Sequence, residues 1–437
     1  MQPTLLSVWE KFVRADPAAR AIIEAVSGKI FSRADLAAKA GAWRAARTET
    51  LAGQRVAFAL PVGTAWFELF LGLLQAKAVP VLLDVTEPPA AQRELARTAG
   101  AAWLWLDGRF EQISSLRRPR NRELCLVKVT SGSTGSPRAF PFTHAQTLAD
   151  GRNICRTMKI GSDALSLAAI PFSHSYGFGN LVVPLLAQGT PLVCVSALLP
   201  HALADDCARW KPTVFPAVPP LLRALTESDI APDALASLRL IISAGSPLAP
   251  ETARAFFKKF CRIPHTFYGT SETGGIAFDR GGEATLLGRS VGTPLVGVRL
   301  AFVRAQRFFV ESAAVTGRGR FLPADRAELN EHGELVLLGR IGRTVKIAGR
   351  RLNLAELEAS LRRMPGVRDA FVSLHPAKAD ELAAAVATDL PSAELRSQLR
   401  ERLAAWKIPR RLIVLPTFPL TARGKTDTRA LRELIAR

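Results

Sequence analysis

The chain has 437 residues, of which 48% are hydrophobic and 22% are charged. These proportions are typical of folded globular proteins and exclude a disordered chain, and the length allows two or three domains. The net charge is +20, and residues 340–437 contribute 20 basic against 10 acidic side chains. Such an excess attracts nucleic acid, nucleotides, anionic lipid or an acidic protein, although arginines on solvated helix faces would give the same count.

The cysteines and the apolar segments bear on the compartment. The five cysteines include no Cys-x-x-Cys pair, which argues against a disulfide framework or a structural zinc site. The opening MQPTLLSVWEKF lacks a basic segment followed by a long apolar one, so no signal peptide is predicted. The most apolar stretch, residues 56–83, is interrupted by Pro61, Glu68 and Lys77, which argues against a membrane span. We therefore expect a cytoplasmic protein.

Helical and strand patterns alternate over the first part of the chain. An amphipathic helix pattern begins at Phe31, and a strand, a mostly buried helix and a second strand are predicted at QRVAFAL, TAWFELFLGLLQAKA and VPVLLD. Similar alternation continues over residues 165–260. The pattern predicts a large layered α/β domain with a mainly parallel sheet, whose catalytic loops lie at the carboxyl ends of the strands.

The pattern changes after Gly281, where short strand patterns are separated by glycines and charges. This predicts a small β-rich subdomain before a boundary near Arg340. The expected domains are thus 1–339 and a small α+β domain over 340–437. The second domain is predicted to contain two helices and three strands, at LAELEASLRRM, SAELRSQLRERLAAW, DAFVSLH, ELAAAVA and RLIVLP. It is expected to end in a loop, PLTARGKTDTR.

A loop rich in Ser, Thr and Gly follows an apolar strand pattern at VTSGSTGSPR, residues 129–138. Backbone N–H groups and hydroxyls in such a loop can surround phosphate oxygens, and Arg138 adds a positive charge. A flexible turn would have a similar composition. A Walker loop is excluded, because Pro419 occupies the position of the first glycine in the motif that Gly424, Lys425 and Thr426 would complete.

Two further glycine-rich segments carry aromatic and ionisable side chains. In HTFYGTSETGG, Glu272 is a candidate oxygen ligand for Mg²⁺ and Tyr268 offers a flat face to a base. In PFSHSYGFG, His174 and Tyr176 lie close in sequence. Residues 269–273 depart from the serine hydrolase elbow, because a threonine replaces the closing glycine. No G-x-G-x-x-G follows a predicted strand, which argues against a nicotinamide-dependent dehydrogenase.

Six segments, in this order, resemble the core motifs of the adenylate-forming superfamily, which includes acyl- and aryl-CoA synthetases, luciferases and peptide-synthetase adenylation domains. They are VTSGSTGSPR, PFSHSYG, SAGSPL, YGTSETGG, GELVLLGRIGRTVKIAGRRLNLAELE and PLTARGKTDTR. The resemblance covers essentially the whole chain. It implies a compact, stand-alone bacterial ligase that joins an acyl or aryl acid to a thiol and uses ATP and Mg²⁺.

The resemblance also implies roles for individual residues. The β- and γ-phosphates would be held by Thr130, Ser131, Gly132, Ser133, Thr134, Gly135 and Arg138. Adenine would lie against Ala244, Gly245, Ser246, Tyr268 and Gly269. Ser271 would lie near the α-phosphate, and Glu272 would bind magnesium. Asp325 would bind the ribose, supported by Arg340.

Several positions depart from the family pattern. Arg138 stands where lysine is usual, and Pro323 and Ala324 replace the usual Thr-Gly before Asp325. Gly342 stands where the hinge between the domains is usually Asp or Lys. Because glycine restricts the backbone little, a freer hinge is expected.

The implied reaction has two halves. First, a carboxylate attacks the α-phosphorus of ATP and expels pyrophosphate, while Lys425 contacts the carboxylate and the α-phosphate. His174 resembles a histidine of acyl and aryl ligases that lies near the substrate carboxylate. Next, the C-terminal domain rotates and brings Gly349 to the border of the pantetheine tunnel. The thiol then attacks the acyl-adenylate and AMP leaves.

The chemical class of the acid substrate and the identity of the thiol acceptor can be narrowed. An aryl or fatty acid is expected, because PFSHSYG lacks the aspartate that pairs with the α-ammonium group in amino-acid-activating members. The positive C-terminal segment favours the phosphopantetheine arm of an acidic acyl carrier protein, with free CoA as the alternative. No nucleic-acid reader motif is present, so no specific binding of nucleic acid is expected. A catalytically silent member that acts as a binding protein also stays open.

Overall fold

A computed structural model of the chain describes residues 2–115, 123–130, 138–340, 344–347, 350–375, 378–403, 407–421 and 424–436. The helices within these ranges are α1 Leu5–Ala15, α2 Arg33–Ala45, α3 Thr64–Gln75, α4 Pro89–Thr98, α5 His144–Met158, α6 Ser175–Gly177, α7 Val183–Gln188, α8 Pro200–Trp210, α9 Pro219–Glu227, α10 Pro250–Phe260, α11 Glu283–Leu287, α12 Leu354–Arg362, α13 Ser392–Arg402 and α14 Thr428–Ala436. A π-helix, Phe178–Val182, joins α6 to α7, and a 3-10 turn covers Arg304–Gln306.

The strands of the N-terminal part are β1 Arg20–Glu24, β2 Lys29–Ser32, β3 Arg55–Phe58, β4 Val79–Leu82, β5 Trp103–Leu106, β6 Arg109–Gln112, β7 Leu124–Thr130, β8 Arg138–Thr143, β9 Ser166–Ala168, β10 Leu192–Cys194, β11 Val214–Ala217, β12 Leu240–Ser243, β13 Pro264–Thr270, β14 Gly274–Phe278 and β15 Thr293–Pro294. The later strands are β16 Arg299–Val303, β17 Arg307–Glu311, β18 Arg320–Phe321, β19 Asp325–Leu329, β20 Leu335–Arg340, β21 Thr344–Ile347, β22 Arg350–Asn353, β23 Val367–His375, β24 Lys378–Thr388 and β25 Arg411–Leu415.

Two large sheets form the N-terminal part. One has the strand order β15-β14-β13-β12-β11-β9-β10-β1-β2, and the other has the order β6-β5-β3-β4-β7-β8. Parallel pairs run from β13 through β12, β11, β9 and β10 to β1, and also join β5, β3, β4 and β7. The predicted layered α/β class with a mainly parallel sheet is therefore confirmed. Within each parallel run, the loops that follow the strands leave from one edge.

The start of several helices can be read from the sequence. Thr4, Ser32 and Thr143 precede α1, α2 and α5, and each side chain accepts a hydrogen bond from the third helical N–H group. Such caps satisfy donors that a helix end leaves open, and each stabilises the fold by about 1 kcal/mol. Helices α8, α9 and α10 instead begin with proline, which has no N–H group to satisfy at that position.

A continuous apolar core joins the two sheets. It includes Ile22 of one sheet, Phe58 of the other and the buried helix α3. On α3, the Trp66 ring stacks on Phe70 at 4.8 Å and meets the edge of Phe172 at 5.4 Å. The predicted buried helix at this position is therefore confirmed.

The small C-terminal part packs α12 on a sheet of order β23-β24-β25. The two predicted helices and three predicted strands of this part are present, with two differences. The hairpin of β21 and β22, before α12, was not predicted. The expected terminal loop is followed by α14, whose first N–H groups are capped by Asp427 and whose Leu431 and Ile435 are fully buried. An aspartate followed by two apolar residues four positions apart is a helix pattern. This helix could therefore have been predicted from the sequence. No described helix combines the length and hydrophobicity that crossing a bilayer requires.

Candidate active site

The Ser/Thr/Gly loop connects β7 to β8. Thr130 and Arg138 lie opposite each other at the open end of this antiparallel pair, and Arg138 is exposed. The predicted phosphate residues between them lie outside the described residues; these are Ser131, Gly132, Ser133, Thr134 and Gly135. Because β7 runs parallel to β4, the loop leaves the sheet beside the segment that follows β4.

That neighbouring segment contributes Asp84, which the sequence analysis did not single out. Asp84 is 5% exposed, and its Oδ1 accepts hydrogen bonds from the backbone and side chain of Thr86 at 2.8 and 2.7 Å. Its Oδ2 lies 3.1 Å from Nε2 of His174. Nε2 of the imidazole therefore faces the Asp84 carboxylate, and Nδ1 lies on the far side of the ring. The available signal was an aspartate directly after an apolar strand pattern, at the expected functional edge of the sheet.

The segment around His174 is tightly built. His174 precedes α6, and its carbonyl accepts the N–H of Phe178 at 2.7 Å. A side chain at Gly177 would place its Cβ 2.0 Å from the carbonyl oxygen of Pro171, so only glycine fits there. Tyr176 is a structural residue, because its buried hydroxyl donates to the carbonyls of Ala217 and Ile242. Burial raises the pKa of this hydroxyl well above its usual value.

Two predicted nucleotide residues, Tyr268 and Asp325, meet through a side-chain hydrogen bond. The Tyr268 hydroxyl donates to Oδ2 of Asp325 at 2.9 Å, across 57 positions of sequence. Asp325 is 9% exposed and lies opposite Arg340 in the β19–β20 pair. Tyr268 lies on strand β13 rather than in a loop as expected. The structure therefore brings the predicted base-stacking and ribose residues together.

The predicted adenine segment follows β12. Ala244 is buried and donates its N–H to the carbonyl of Ala217 at 3.3 Å. Gly245 has a φ of +92°, and a Cβ there would lie 3.7 Å from Cγ1 of Val218. Ser246 is half-buried. Gly269 on β13 approaches its neighbour strand so closely that a Cβ would lie 2.5 Å from the carbonyl oxygen of Gly274.

The predicted metal ligand lies in the turn between β13 and β14. The carbonyl of Glu272 accepts the N–H of Thr316 at 3.0 Å, and Ser271 is half-buried beside it. Among the described residues, no three His, Cys, Asp or Glu side chains form a metal cage. Mg²⁺ keeps most of its waters and binds one or two carboxylates together with substrate phosphates. A single carboxylate such as that of Glu272 is therefore a donor set that fits nucleotide-bound magnesium.

The C-terminal lysine lies on a tight turn. Lys425 is exposed, its carbonyl accepts the N–H of Thr421 at 2.7 Å, and Leu420 pairs with Thr426 across the turn. Gly424 has a φ of +68°, and a Cβ there would lie 3.7 Å from Cγ2 of Val218. Val218 is thus next to both this turn and the adenine segment. The predicted tunnel residue Gly349 and the hinge residue Gly342 lie outside the described residues.

Sequence comparison places the chain in a family. Residues 107–308 match the AMP-binding enzyme family, and residues 356–425 match the AMP-binding enzyme C-terminal domain. Together the two matches cover more than half of the chain. The chain belongs to the AMP-binding enzyme family. The resemblance to adenylate-forming enzymes is therefore confirmed.

This AMP-binding enzyme has known relatives of several kinds. It is 27% identical over 356 residues to 2-hydroxy-7-methoxy-5-methyl-1-naphthoate--CoA ligase of Streptomyces carzinostaticus, which covers 73% of this chain and 64% of that protein. It is also 29% identical over 359 residues to phenyloxazoline synthase MbtB of Mycolicibacterium paratuberculosis. That alignment covers 71% of this chain and 30% of MbtB. The chain therefore spans less than two thirds of each of these relatives. ATP-bound MatB of Rhodopseudomonas palustris has the same fold, with a TM-score of 0.84, 20% identity and 99% of both chains covered.

Proposed function

We propose that this enzyme activates an aryl or fatty acid with ATP as an acyl-adenylate and transfers the acyl group to the phosphopantetheine thiol of an acyl carrier protein. Residues 1–339 would bind ATP and the acid, and residues 340–437 would form a mobile domain that carries the catalytic lysine. The cytoplasm, where ATP and carrier proteins are found, is the proposed location.

The position of the Lys425 turn carries this proposal. The turn lies next to Val218, which is also next to Gly245 of the adenine segment. The turn that carries Lys425 thus lies beside the residue that also neighbours the proposed adenine segment. Ammonium groups in such positions stabilise the negative charge that develops when a phosphoryl or nucleotidyl group is transferred.

Nucleotide binding would use three groups of residues. The 130–135 loop and Arg138 would hold the β- and γ-phosphates, and Ala244, Gly245, Ser246, Tyr268 and Gly269 would enclose adenine. Asp325, with Arg340 opposite, would bind the ribose, and its hydrogen bond to Tyr268 would fix both side chains before ATP arrives. Ser271 would lie near the α-phosphate. When bound, magnesium would neutralise phosphate charge, with Glu272 as its protein ligand.

The two halves of the reaction would use different residues. In the first half, a carboxylate oxygen bonds to the α-phosphorus and the bond to the bridging oxygen of pyrophosphate breaks, while Lys425 neutralises charge on both groups. His174, held by Asp84, would orient the acid. In the second half, the thiol sulfur bonds to the acyl carbon, AMP leaves with its oxygen and the thiol proton passes to solvent. Gly349 would border the thiol path in that half.

The class of acid follows from the His174 segment. Residues 171–177 contain no carboxylate that could pair with an α-ammonium group, and the nearby Asp84 already contacts His174 and Thr86. An uncharged tail is therefore favoured over an α-amino group. The aromatic side chains of Phe172 and Phe178 are core residues at 1% exposure, so they support the site from behind rather than face the acid.

A basic groove on the C-terminal part supports a carrier protein as acceptor. His375, Arg396, Arg410 and Arg411 line it together with the acidic Glu381. Arg410 forms an ion pair with Glu381 at 3.2 Å, so the groove keeps an excess of positive charge. Acidic carrier proteins would be attracted to this surface, and the attraction would fall with salt. Free CoA is the second candidate, favoured by the CoA ligase among the relatives.

The first experiment measures pyrophosphate release with ATP, Mg²⁺ and a panel of aryl, short-chain and long-chain acids. Each acid is tested with no thiol, with CoA or with a phosphopantetheinylated carrier protein. We expect acid-dependent release and faster acyl transfer to the carrier protein. Lys425→Ala should lower adenylate formation about 100-fold or more, whereas the matched surface variant Lys11→Ala should not. No release with any acid, or equal rates for the two variants, would contradict the proposal.

A further inference from the structure

A buried pair of opposite charges lies behind the candidate site and takes no part in the reaction proposed above. Lys128 on β7 and Asp150 on α5 are 4% and 6% exposed. Burial lowers the pKa of the Lys128 ammonium group and raises the pKa of the Asp150 carboxyl group, and the attraction between the two groups opposes both shifts. Charged groups are costly to bury unless a partner and hydrogen bonds compensate.

Asp150 lies directly under the turn that carries Glu272. Its Oδ1 accepts the backbone N–H of Gly275 at 3.0 Å. The backbone of Gly274, with a φ of +70°, approaches so closely that a Cβ would lie 2.2 Å from the same oxygen. Any other residue at 274 would collide with the carboxylate, so the contact sets the position of this end of the turn.

The same two residues also contact the segment that follows His174. A Cβ at Gly179, five residues after His174, would lie 3.2 Å from Oδ2 of Asp150. The ammonium group of Lys128 lies over the Phe178 ring, 5.6 Å from its centroid, and over the Phe142 ring at 4.6 Å. Lys128 itself is two residues before the start of the Ser/Thr/Gly loop at Thr130.

We propose that Lys128 and Asp150 act together as positioning residues that hold the end of β7, the His174 segment and the Glu272 turn in register. Asp150 contacts the Glu272 turn at Gly275 and the His174 segment at Gly179, and Lys128 lies on β7 with its ammonium group over the Phe178 ring. Buried charged groups often add little net stability, and the strict geometry that they require can instead select one arrangement of the surrounding backbone. The inference rests on the proposed function, since the three segments are those that would hold ATP, the acid and magnesium.

The test compares four variants by pyrophosphate release, with melting temperature as a check on folding. Asp150→Ala removes the acceptor of the Gly275 N–H group, and Asp150→Asn keeps an acceptor but removes the charge. Lys128→Met keeps the length of the side chain without its charge, and the fourth variant combines Lys128→Met with Asp150→Asn. Asp206→Asn is the matched control, because Asp206 is also buried and accepts a backbone N–H, that of Ser196 at 2.8 Å, away from these segments.

We expect Asp150→Ala to raise KM for ATP about fivefold and to lower kcat about tenfold or more, because small displacements of bound reactants slow reaction steeply. Asp150→Asn should recover most of the loss. The double variant should be closer to the wild type than the two single effects multiplied together, because it leaves no unpaired buried charge. Asp206→Asn should keep the wild-type KM and kcat.

Three results would overturn the inference. Wild-type KM and kcat in a folded Asp150→Ala protein would show that the residue positions nothing. Equal losses in Asp150→Ala, Asp150→Asn and Asp206→Asn would show a general effect of altering buried carboxylates. Strictly multiplicative effects in the double variant would show that Lys128 and Asp150 do not act together. If the wild type neither binds ATP in calorimetry nor releases pyrophosphate, the proposed function itself has failed, and the inference with it.

Discussion

At the scale of residues, the contact between Asp84 and His174 has the largest consequence for chemistry. The Asp84 carboxylate places a negative charge 3.1 Å from Nε2 of His174 and leaves Nδ1 on the far side of the ring. Thr86 donates two hydrogen bonds to the other oxygen of Asp84, which keeps the carboxylate in place without involving His174.

This contact gives the first prediction. Asp84→Ala should lower kcat for adenylate formation about tenfold to 100-fold and leave KM for ATP unchanged, because it frees the imidazole that would orient the acid. Asp84→Asn, which still offers an oxygen to Nε2, should recover most of the activity. Asp206→Asn is the control, since it alters a buried carboxylate whose hydrogen bonds go to Ser196 rather than to the His174 segment. Steady-state pyrophosphate release measures all three; a full-strength Asp84→Ala enzyme would contradict the assigned role.

Some residues of the candidate site could be predicted from the sequence and others could not. The hydrogen bond between Tyr268 and Asp325 joins two residues that the family motifs had already singled out. Asp84, Val218 and Asp150 were not found, because an aspartate after a strand, a valine in a loop and an aspartate in a helix are ordinary in sequence. Their importance comes from neighbours that only the folded chain supplies.

At the scale of elements, the alternation of patterns was sufficient to predict the layered α/β part, because strand and helix periods differ and each element buries one face or both. It could not give the order of strands within the two sheets, which depends on packing between distant segments. The final helix α14 was missed because the resemblance assigned its first residues to a loop motif. Its buried apolar pair was the stronger local signal.

The attachment of α1 gives an element-scale prediction. The first N–H group of this helix, from Leu5, donates to Nδ1 of His144 at 3.2 Å, and burial lowers the pKa of His144 to about 4. Unfolded His144 takes up a proton below its ordinary pKa of about 6.5, whereas the folded form stays neutral down to about pH 4. This contribution to stability is therefore complete above pH 6.5 and is lost as the pH falls toward 4.

His144→Asn isolates the effect, because asparagine offers an oxygen near the position of Nδ1 and does not titrate. Between pH 7.5 and pH 5, the wild type should lose about 1 to 2 kcal/mol more of its free energy of unfolding than the variant. Urea unfolding at the two pH values measures the difference. Groups other than His144 titrate alike in both proteins, so identical pH dependence would mean that this histidine is not held neutral.

At the scale of the whole molecule, the approach of the Lys425 turn to Val218 indicates the orientation of the C-terminal part. A Cβ at Gly424 would lie 3.7 Å from Cγ2 of Val218, so cysteines at the two positions are within reach of a disulfide. The engineered pair is best placed in a Cys261→Ser background, because Cys261 is exposed and the other four cysteines are buried. A cysteine at 424 also adopts a positive φ, at a cost of about 1 kcal/mol.

Oxidation of the Val218→Cys, Gly424→Cys protein should hold the lysine turn at the nucleotide segments. We expect a burst of pyrophosphate from adenylate formation, followed by acyl transfer at least about tenfold slower than in the reduced protein, because the domain rotation is blocked. Rapid-quench assays before and after dithiothreitol measure both steps, with the Gly424→Cys single variant as control. Unchanged acyl transfer in the oxidised protein would contradict the proposed rotation.

The segments that would hold ATP belong to different sheets. Thr130 ends β7 and Arg138 begins β8 of the six-stranded sheet, whereas Ala244 follows β12 and Tyr268 lies on β13 of the nine-stranded sheet. A bound nucleotide would thus contact both sheets. Because it binds only the native state, it would stabilise both sheets against unfolding. Local opening of either sheet would then require release of the nucleotide. Amide hydrogen exchange in strands remote from the ligand, such as β5 and β10, would slow in parallel when the site fills.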